Sequence, residues 1–265
     1  NNLIKDSHKA IELWKDILDQ PLAINGLIFA YIDLGLIFSD FNLNSLALKY
    51  LNKAESLVPE CSEKYYPFIK LYVAYTIVVK DSKKIDAYNK KVVDMAKSKK
   101  DSMTLIPVLI NIANGLIKNR KYNDAKKKCL QALKISDNNK ESIYKPHIYK
   151  ALGTIFLNKN KYKQSIDSFD KSLNGFESMN SVKMIPDVLC HIGKALIKQK
   201  EYDEAIDIFN KSLRLSQKIK NYDLDHKVLK ELSKLYKLNK DQAGYLKTIN
   251  SLNSVLEKQI KNKEK

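Results

Sequence analysis

The stretch PDVLCHIGKALIKQKEYDEAIDIFNKSL, residues 186–213, reads as two amphipathic helices joined by a short polar turn. Ile192, Gly193 and Leu196 fall on the first helix, Lys198-Gln199-Lys200-Glu201 supply the turn, and Ala205, Phe209, Ser212 and Leu213 follow on the second. These positions recur three and four residues apart, which places their side chains on one buried helical stripe. Gly193 and Ala205 are small where two backbones approach, and Phe209 is large enough to fill the gap beside them. Pro186 suits a helix start, because the first backbone N–H groups there have no intrahelical acceptor. Ser181, and Ser142 ahead of Pro146, are the candidate N-caps.

The same pattern recurs along the chain. Pro67, Pro107, Pro146 and Pro186 are spaced 40, 39 and 40 residues apart. Lys121-Tyr122, Lys161-Tyr162 and Glu201-Tyr202 repeat every 40 residues, each with a small residue three positions after the tyrosine: Ala125, Ser165, Ala205. A fixed period of this size marks an array of stacked supersecondary units that bury their apolar faces on one another.

The residues at fixed offsets are Tyr31, Leu34-Gly35, Phe38, Ala47, Leu51, Ala54 and Pro59 in the first unit. Later units show Leu109, Ile112-Ala113, Leu116, Ala125, Cys129, Ala132; then Tyr149, Leu152-Gly153, Phe156, Ser165, Phe169, Ser172. The next has Leu189, Ile192-Gly193, Leu196, Ala205, Phe209, Ser212. This pattern resembles the tetratricopeptide repeat (TPR). A unit with Tyr72, Tyr75 and Ala87, and a last one with Leu229, Leu232-Ser233, Tyr236 and Ala243, fit it less closely. The family's usual unit has about 34 residues, whereas these run to about 40, a length that resembles TPR arrays in bacterial regulatory and peptide-sensing proteins. The resemblance implies an all-α superhelical solenoid of antiparallel helix pairs. About six units are expected, at 21–60, 61–100, 101–140, 141–180, 181–221 and 222–248.

A capping helix is expected over residues 1–20, with a stripe of Ile4, Ala10, Ile11, Trp14 and Ile17. A basic helix or tail occupies 249–265, where Ile249, Leu252, Leu256 and Ile260 run into Lys261–Lys265. Val255 and Leu256 are the candidates for homo-oligomerisation through an open terminal repeat. The start, Asn1-Asn2-Leu3, lacks an initiating Met and a signal-peptide pattern, so an effector domain outside this chain is expected. No run of 18 apolar residues is present, and no membrane span is expected.

Three cysteines, Cys61, Cys129 and Cys190, show no metal-ligand spacing and form no disulfide framework, which points to the cytoplasm. Cys129 stands at a core position of the repeat and reads as a small hydrophobe. No His pair has zinc-protease spacing, and the scattered glycines form no phosphate loop. Cys190 and His191 are adjacent on a helix and so do not face one another. Asp203, Glu204 and Asp207 read as a solvated first turn that favours the helix dipole. Neither a catalytic residue nor a metal or cofactor is assigned, and the chain reads as a binding protein.

The net charge of +17 is unevenly distributed. Residues 1–100 carry 15 Lys and Arg against 12 Asp and Glu, and residues 101–265 carry 32 against 18. Arginine occurs only at Arg120 and Arg214, and a dedicated nucleic-acid reader favours the bidentate Arg fork, so nucleic acid is not the expected partner. In the TPR resemblance, first helices line a concave face and equivalent residues stack in rows. One row reads Ile110, Lys150, Cys190, Lys230. The row a turn further along reads Asn114, Thr154, Lys194, Lys234, and the next adds Lys118, Asn158 and Lys198. With Asn111, these residues are the candidate groove, passing from amide and aliphatic to cationic. Amides suit a peptide backbone and lysines suit a carboxylate, so a peptide or protein segment of acidic character is the expected ligand. The carboxylate clamp of chaperone adaptors does not fit, because its first-unit offsets hold Ile32 and Leu36, and Thr154 stands where Asn is needed.

The expected role is a non-enzymatic peptide- or protein-binding scaffold, the sensing segment of a bacterial signalling or transcription-regulating protein. Two alternatives stay open: a constitutive structural adaptor, and a non-specific binder of nucleic acid or anionic surfaces.

Overall fold

The computed structural model describes residues 2–16, 21–60, 65–79, 82–138 and 142–264. Cys61 and Ile17 lie outside these residues. The described residues form thirteen α-helices, two short 3-10 turns and no strand. The first six helices are α1 (Asn2–Lys15), α2 (Pro21–Asp40), α3 (Asn44–Leu57), α4 (Tyr65–Val78), α5 (Ser82–Ser98) and α6 (Ser102–Lys118). Then come α7 (Tyr122–Asn138), α8 (Lys145–Asn158), α9 (Tyr162–Ser178) and α10 (Ile185–Gln199). The last are α11 (Tyr202–Lys218), α12 (Tyr222–Leu238) and α13 (Gln242–Glu264).

The 40-residue period follows from helix length. Helices α7, α9, α11 and α12 each have 17 residues, and three-residue turns join α11 to α12 and α12 to α13. Two such helix–turn units make one repeat. The turns close in the left-handed region at Arg120, Asn160, Lys200, Lys220 and Lys240, with φ between 55° and 67°. At the end of α11, Asn221 N donates to Ser216 O at 2.9 Å and Lys220 N donates to Gln217 O at 3.1 Å. These paired bonds satisfy the last helical carbonyls and reverse the chain, so consecutive helices pack antiparallel.

The chain divides into two compact units, Asn1–Ile112 and Ala113–Lys265. In the first, α2 packs against α1, α3 and α4. Ile11 is buried, and Trp14 lies so close over Gly26 that a Cβ there would sit 2.4 Å from the indole. Tyr75 stacks on Tyr88 with ring centroids 4.6 Å apart. Its hydroxyl lies 2.7 Å from Asn52 Oδ1 and 2.8 Å from Glu55 Oε2, and burial together with Glu55 raises the phenol pKa.

In the second unit α8 pairs with α9, α10 with α11, and α12 with α13. The small–large pairing expected from residues 186–213 is present: a Cβ on Gly193 would meet the Phe209 ring at 2.8 Å. The preceding repeat does the same, with Gly153 against Phe169 at 2.6 Å. Of the serines that replace the pattern's alanines, Ser165 and Ser212 keep their hydroxyls bonded, whereas the buried Ser172 hydroxyl has no partner among the described residues. Ser165 Oγ donates to Gly153 O at 2.8 Å and Ser212 Oγ to Pro186 O at 2.6 Å. Cys129 is fully buried, and burial pushes its thiol up to about 12.

Several expectations need correction. Tyr144 and Met184, not Ser142 and Ser181, occupy the N-cap positions of α8 and α10, and neither supplies a side-chain capping bond. Lys198 and Gln199 belong to α10, so the turn there is Lys200-Glu201. Pro107 falls in the second turn of α6, because Asp101 caps the helix earlier by accepting from Thr104 N at 3.0 Å. Ala87 is exposed, and α5 buries Asn89, Val92, Val93 and Ala96 instead. Ala243 is likewise exposed, and α13 buries Thr248 and Val255. Val255 therefore offers no surface to a second copy, whereas Leu256 is exposed.

One helix does meet the length and composition of a bilayer span: Ala23–Asp40 within α2 has a mean hydropathy of 1.4. The window is not an unbroken apolar run, because it contains Asp33 and Asp40. Half of the window is buried within the protein, including Leu27, Ile28, Ala30, Tyr31, Ile32 and Leu34.

Candidate functional site: the first-helix face of residues 145–238

Within the second unit, α8 contacts α10 and α10 contacts α12 directly. No comparable contact joins α9 to α11 or α11 to α13 among the described residues. The first helices are therefore the closer-spaced, inner layer, and the side chains they turn away from α9 and α11 form one continuous face.

Asp187 sits at the centre of that face. Lys150 Nζ on α8 approaches Asp187 Oδ2 on α10 at 2.5 Å, in a half-buried ion pair that ties one repeat to the next. Burial pushes the Asp187 carboxyl up, but Lys150, His191 and Lys227 outweigh it and hold the group below the ordinary carboxylate range. One turn further along α10, His191 stacks on Phe169 of α9 with ring centroids 5.3 Å apart and an interplanar angle of 22°. Its Nδ1 is buried without a hydrogen-bond partner. Burial, with Lys194, Lys150 and Lys227 acting in the same sense against Asp187, lowers the imidazole to about 4. His191 is therefore neutral at pH 7, with a structural role against Phe169.

The predicted residues divide by position. Lys194 is half-buried on α10, and Lys198, Lys230 and Lys234 are exposed. Lys234 Nζ lies 3.2 Å from Glu231 Oε2 one turn away. Thr154 and Asn158 are engaged with their own helix: Thr154 Oγ1 donates to Lys150 O at 3.0 Å, and Asn158 Nδ2 to Thr154 O at 2.8 Å. Cys190 is buried, and its thiol is pushed up to about 11, mainly by burial. Asn111, Asn114 and Lys118 are exposed on α6, with Asn111 in the first compact unit and the other two in the second. The face described here is thus made by α8, α10 and α12.

Sequence reasoning missed Asp187, Lys227 and Glu231. A row at the same 40-residue spacing, His147, Asp187 and Lys227, was readable and places an acid between two nitrogen-bearing side chains. Reading only the rows with lysines overstated the positive charge of the centre. The charge rises towards α12, where Lys227, Lys230, Lys234 and Lys237 are all exposed at three- and four-residue intervals. No group of three or more His, Cys, Asp or Glu side chains that could hold a metal ion occurs among the described residues.

The tetratricopeptide repeat family matches residues 186–219. No curated protein sequence matches the chain. Among solved structures, the apo form of RapI is similar at 17% identity and a TM-score of 0.71, covering 88% of this chain and 84% of that one. A Rap protein complexed with competence and sporulation factor is similar at 13% identity and a TM-score of 0.64, covering 94% and 80%. A signal transduction ATPase with numerous domains and a tetratricopeptide repeat sensor, from Pyrococcus horikoshii, has 15% identity and a TM-score of 0.70. That match covers 97% of this chain and 45% of the ATPase, so the chain spans under half of that protein. At these identities the likeness concerns the fold. The repeat match over residues 186–219, the Gly–Phe pairing and the helix order agree on one fold, an all-α array of antiparallel helix pairs of the tetratricopeptide-repeat type.

Proposed function

We propose that the chain is a non-enzymatic scaffold that binds an extended peptide or protein segment on the face of α8, α10 and α12, as the sensing part of a regulatory protein. The observation that carries this reading is the row of chemically distinct side chains on adjacent first helices: Lys150 paired with Asp187, then Lys194, then Lys227, Lys230 and Lys234. Exposed lysines clustered on one helix attract carboxylates and speed their capture. Asp187 gives the centre the opposite sign, so the face discriminates by pattern and not by net charge alone. The ligand therefore places its acidic end over α12. The similarity to a Rap protein solved with competence and sporulation factor, and to a signal transduction ATPase whose repeats are called a sensor, supports a bound factor and a regulatory setting.

Capture from a native lysate on the immobilised chain, read by mass spectrometry, tests this. Wild type retains a short peptide or an acidic protein segment, and a Lys194→Ala/Lys230→Ala/Lys234→Ala variant loses it. Lys150 is left in place so that Asp187 keeps its partner. Equal retention by both proteins overturns the assignment of the face.

A further inference from the structure

We infer that the opposite side of the array carries a second docking surface, formed by the C-terminal half of α11 and suited to an acidic amphipathic helix of a partner protein. Lys211, Arg214, Leu215, Gln217 and Lys218 line a surface depression of about 690 Å³ there. Lys211, Arg214 and Lys218 succeed one another at three- and four-residue intervals and so stand on one stripe of the helix. All three are exposed, and none makes an ion pair among the described residues. The preceding repeat carries a different stripe. One repeat earlier, Lys171 is held by Asp167 at 2.9 Å, and the positions matching Arg214 and Lys218 are Asn174 and Ser178. The fold thus tolerates a neutral stripe at these positions, and α11 departs from it.

The chemistry of the occupant follows from the lining. Seven residues of helix extend about 10 Å, so carboxylates spaced three and four residues apart on a partner helix meet the three cations in register. Arg214 offers a planar fork for a bidentate carboxylate contact. Leu215 and the aliphatic stems of the two lysines give an apolar floor that receives a Leu or Phe of the partner. A phosphate backbone has no use for that floor. This surface lies on second helix α11, and its assignment does not depend on the ligand face of α8, α10 and α12.

The test uses a fluorescent 15-residue helical peptide with Glu at positions 4, 7 and 11 and Leu at position 8, its Glu→Gln analogue, and a 15-base-pair DNA duplex as probes. The full chain is compared with Lys211→Glu/Arg214→Glu/Lys218→Glu and with Lys194→Ala/Lys230→Ala/Lys234→Ala, and circular dichroism melts check that both variants fold. The surface is supported if wild type prefers the Glu peptide to both other probes, and if charge reversal on α11 weakens that binding about tenfold or more while the Lys194/Lys230/Lys234 variant, whose lysines also attract carboxylates, weakens it less. It is overturned if the duplex binds more tightly than the peptide, if the Gln analogue binds equally well, or if only the Lys194/Lys230/Lys234 variant loses binding. No binding of the Glu peptide at low salt also overturns it.

Discussion

Lys150 and Asp187 meet at 2.5 Å across the boundary between two repeats, each on the first helix of its own unit. In a solenoid, stability is carried by such nearest-neighbour interfaces. The pair also sits at the centre of the proposed ligand face, so one contact bears on both stability and recognition. Asp187 is held below the ordinary carboxylate range, so the stability it contributes is complete above its unfolded value of about 4 and is lost as pH falls through the lower folded value. The melting temperature of Asp187→Asn is expected to lie below wild type at pH 7, and the gap is expected to narrow as pH falls below about 4. A gap that does not change with pH contradicts this role.

His191 behaves in the same sense over a different window. Its folded value is lowered to about 4, against an unfolded value of about 6.5. Between these limits the unfolded chain binds more protons, so stability falls as pH drops from about 6.5 towards 4. His191→Phe keeps a ring against Phe169 and removes the unpartnered Nδ1. Thermal melts across pH 4–7 are expected to show a flatter profile for this variant than for wild type.

Phe209 fills the space that Gly193 leaves open, with no room for even a methyl group between them. Phe209→Ala is expected to cost about 3–5 kcal/mol, read from urea denaturation. Because each repeat touches only its neighbours, hydrogen exchange is expected to rise first in α10 and α11. Gly193→Val opposes the same ring from the other side and is expected to destabilise as well.

Lys220 closes the turn after α11 with φ at 55°, a conformation that costs a residue bearing a Cβ about 1–2 kcal/mol and glycine almost nothing. Part of that gain is cancelled by the greater freedom of glycine in the unfolded chain. Lys220→Gly is therefore expected to stabilise by about 0.5–1 kcal/mol, measured as a higher urea midpoint with an unchanged slope.

The fold was legible because its strongest contacts repeat at a fixed interval. Gly193, Phe209 and their counterparts Gly153 and Phe169 mark the period in letters, and the packing uses those letters as read. Legibility failed where a position is filled by an atypical residue. In α5, Asn89 falls at the 40-residue spacing of Cys129, Phe169 and Phe209, and the one nearby alanine, Ala87, is exposed; in α13, Ala243 is exposed while Thr248 and Val255 are buried. The caps were missed because backbone turns at Tyr144 and Met184 do what a serine side chain was expected to do. At the candidate site, the lysines could be assigned to rows, but their pairing could not. That Lys150 is engaged by Asp187, and that Thr154 and Asn158 bond to their own helix, depends on side-chain reach across and along helices, which a 40-residue spacing does not encode.

The central claim, that ligand occupies the face of α8, α10 and α12, is tested most directly by lysine acetylation footprinting of the chain with and without the peptide captured from lysate. The account predicts that Lys194, Lys230 and Lys234 lose reactivity on binding while Lys163 and Lys171 of α9 do not. Protection of the α9 lysines with Lys194, Lys230 and Lys234 unchanged would contradict it.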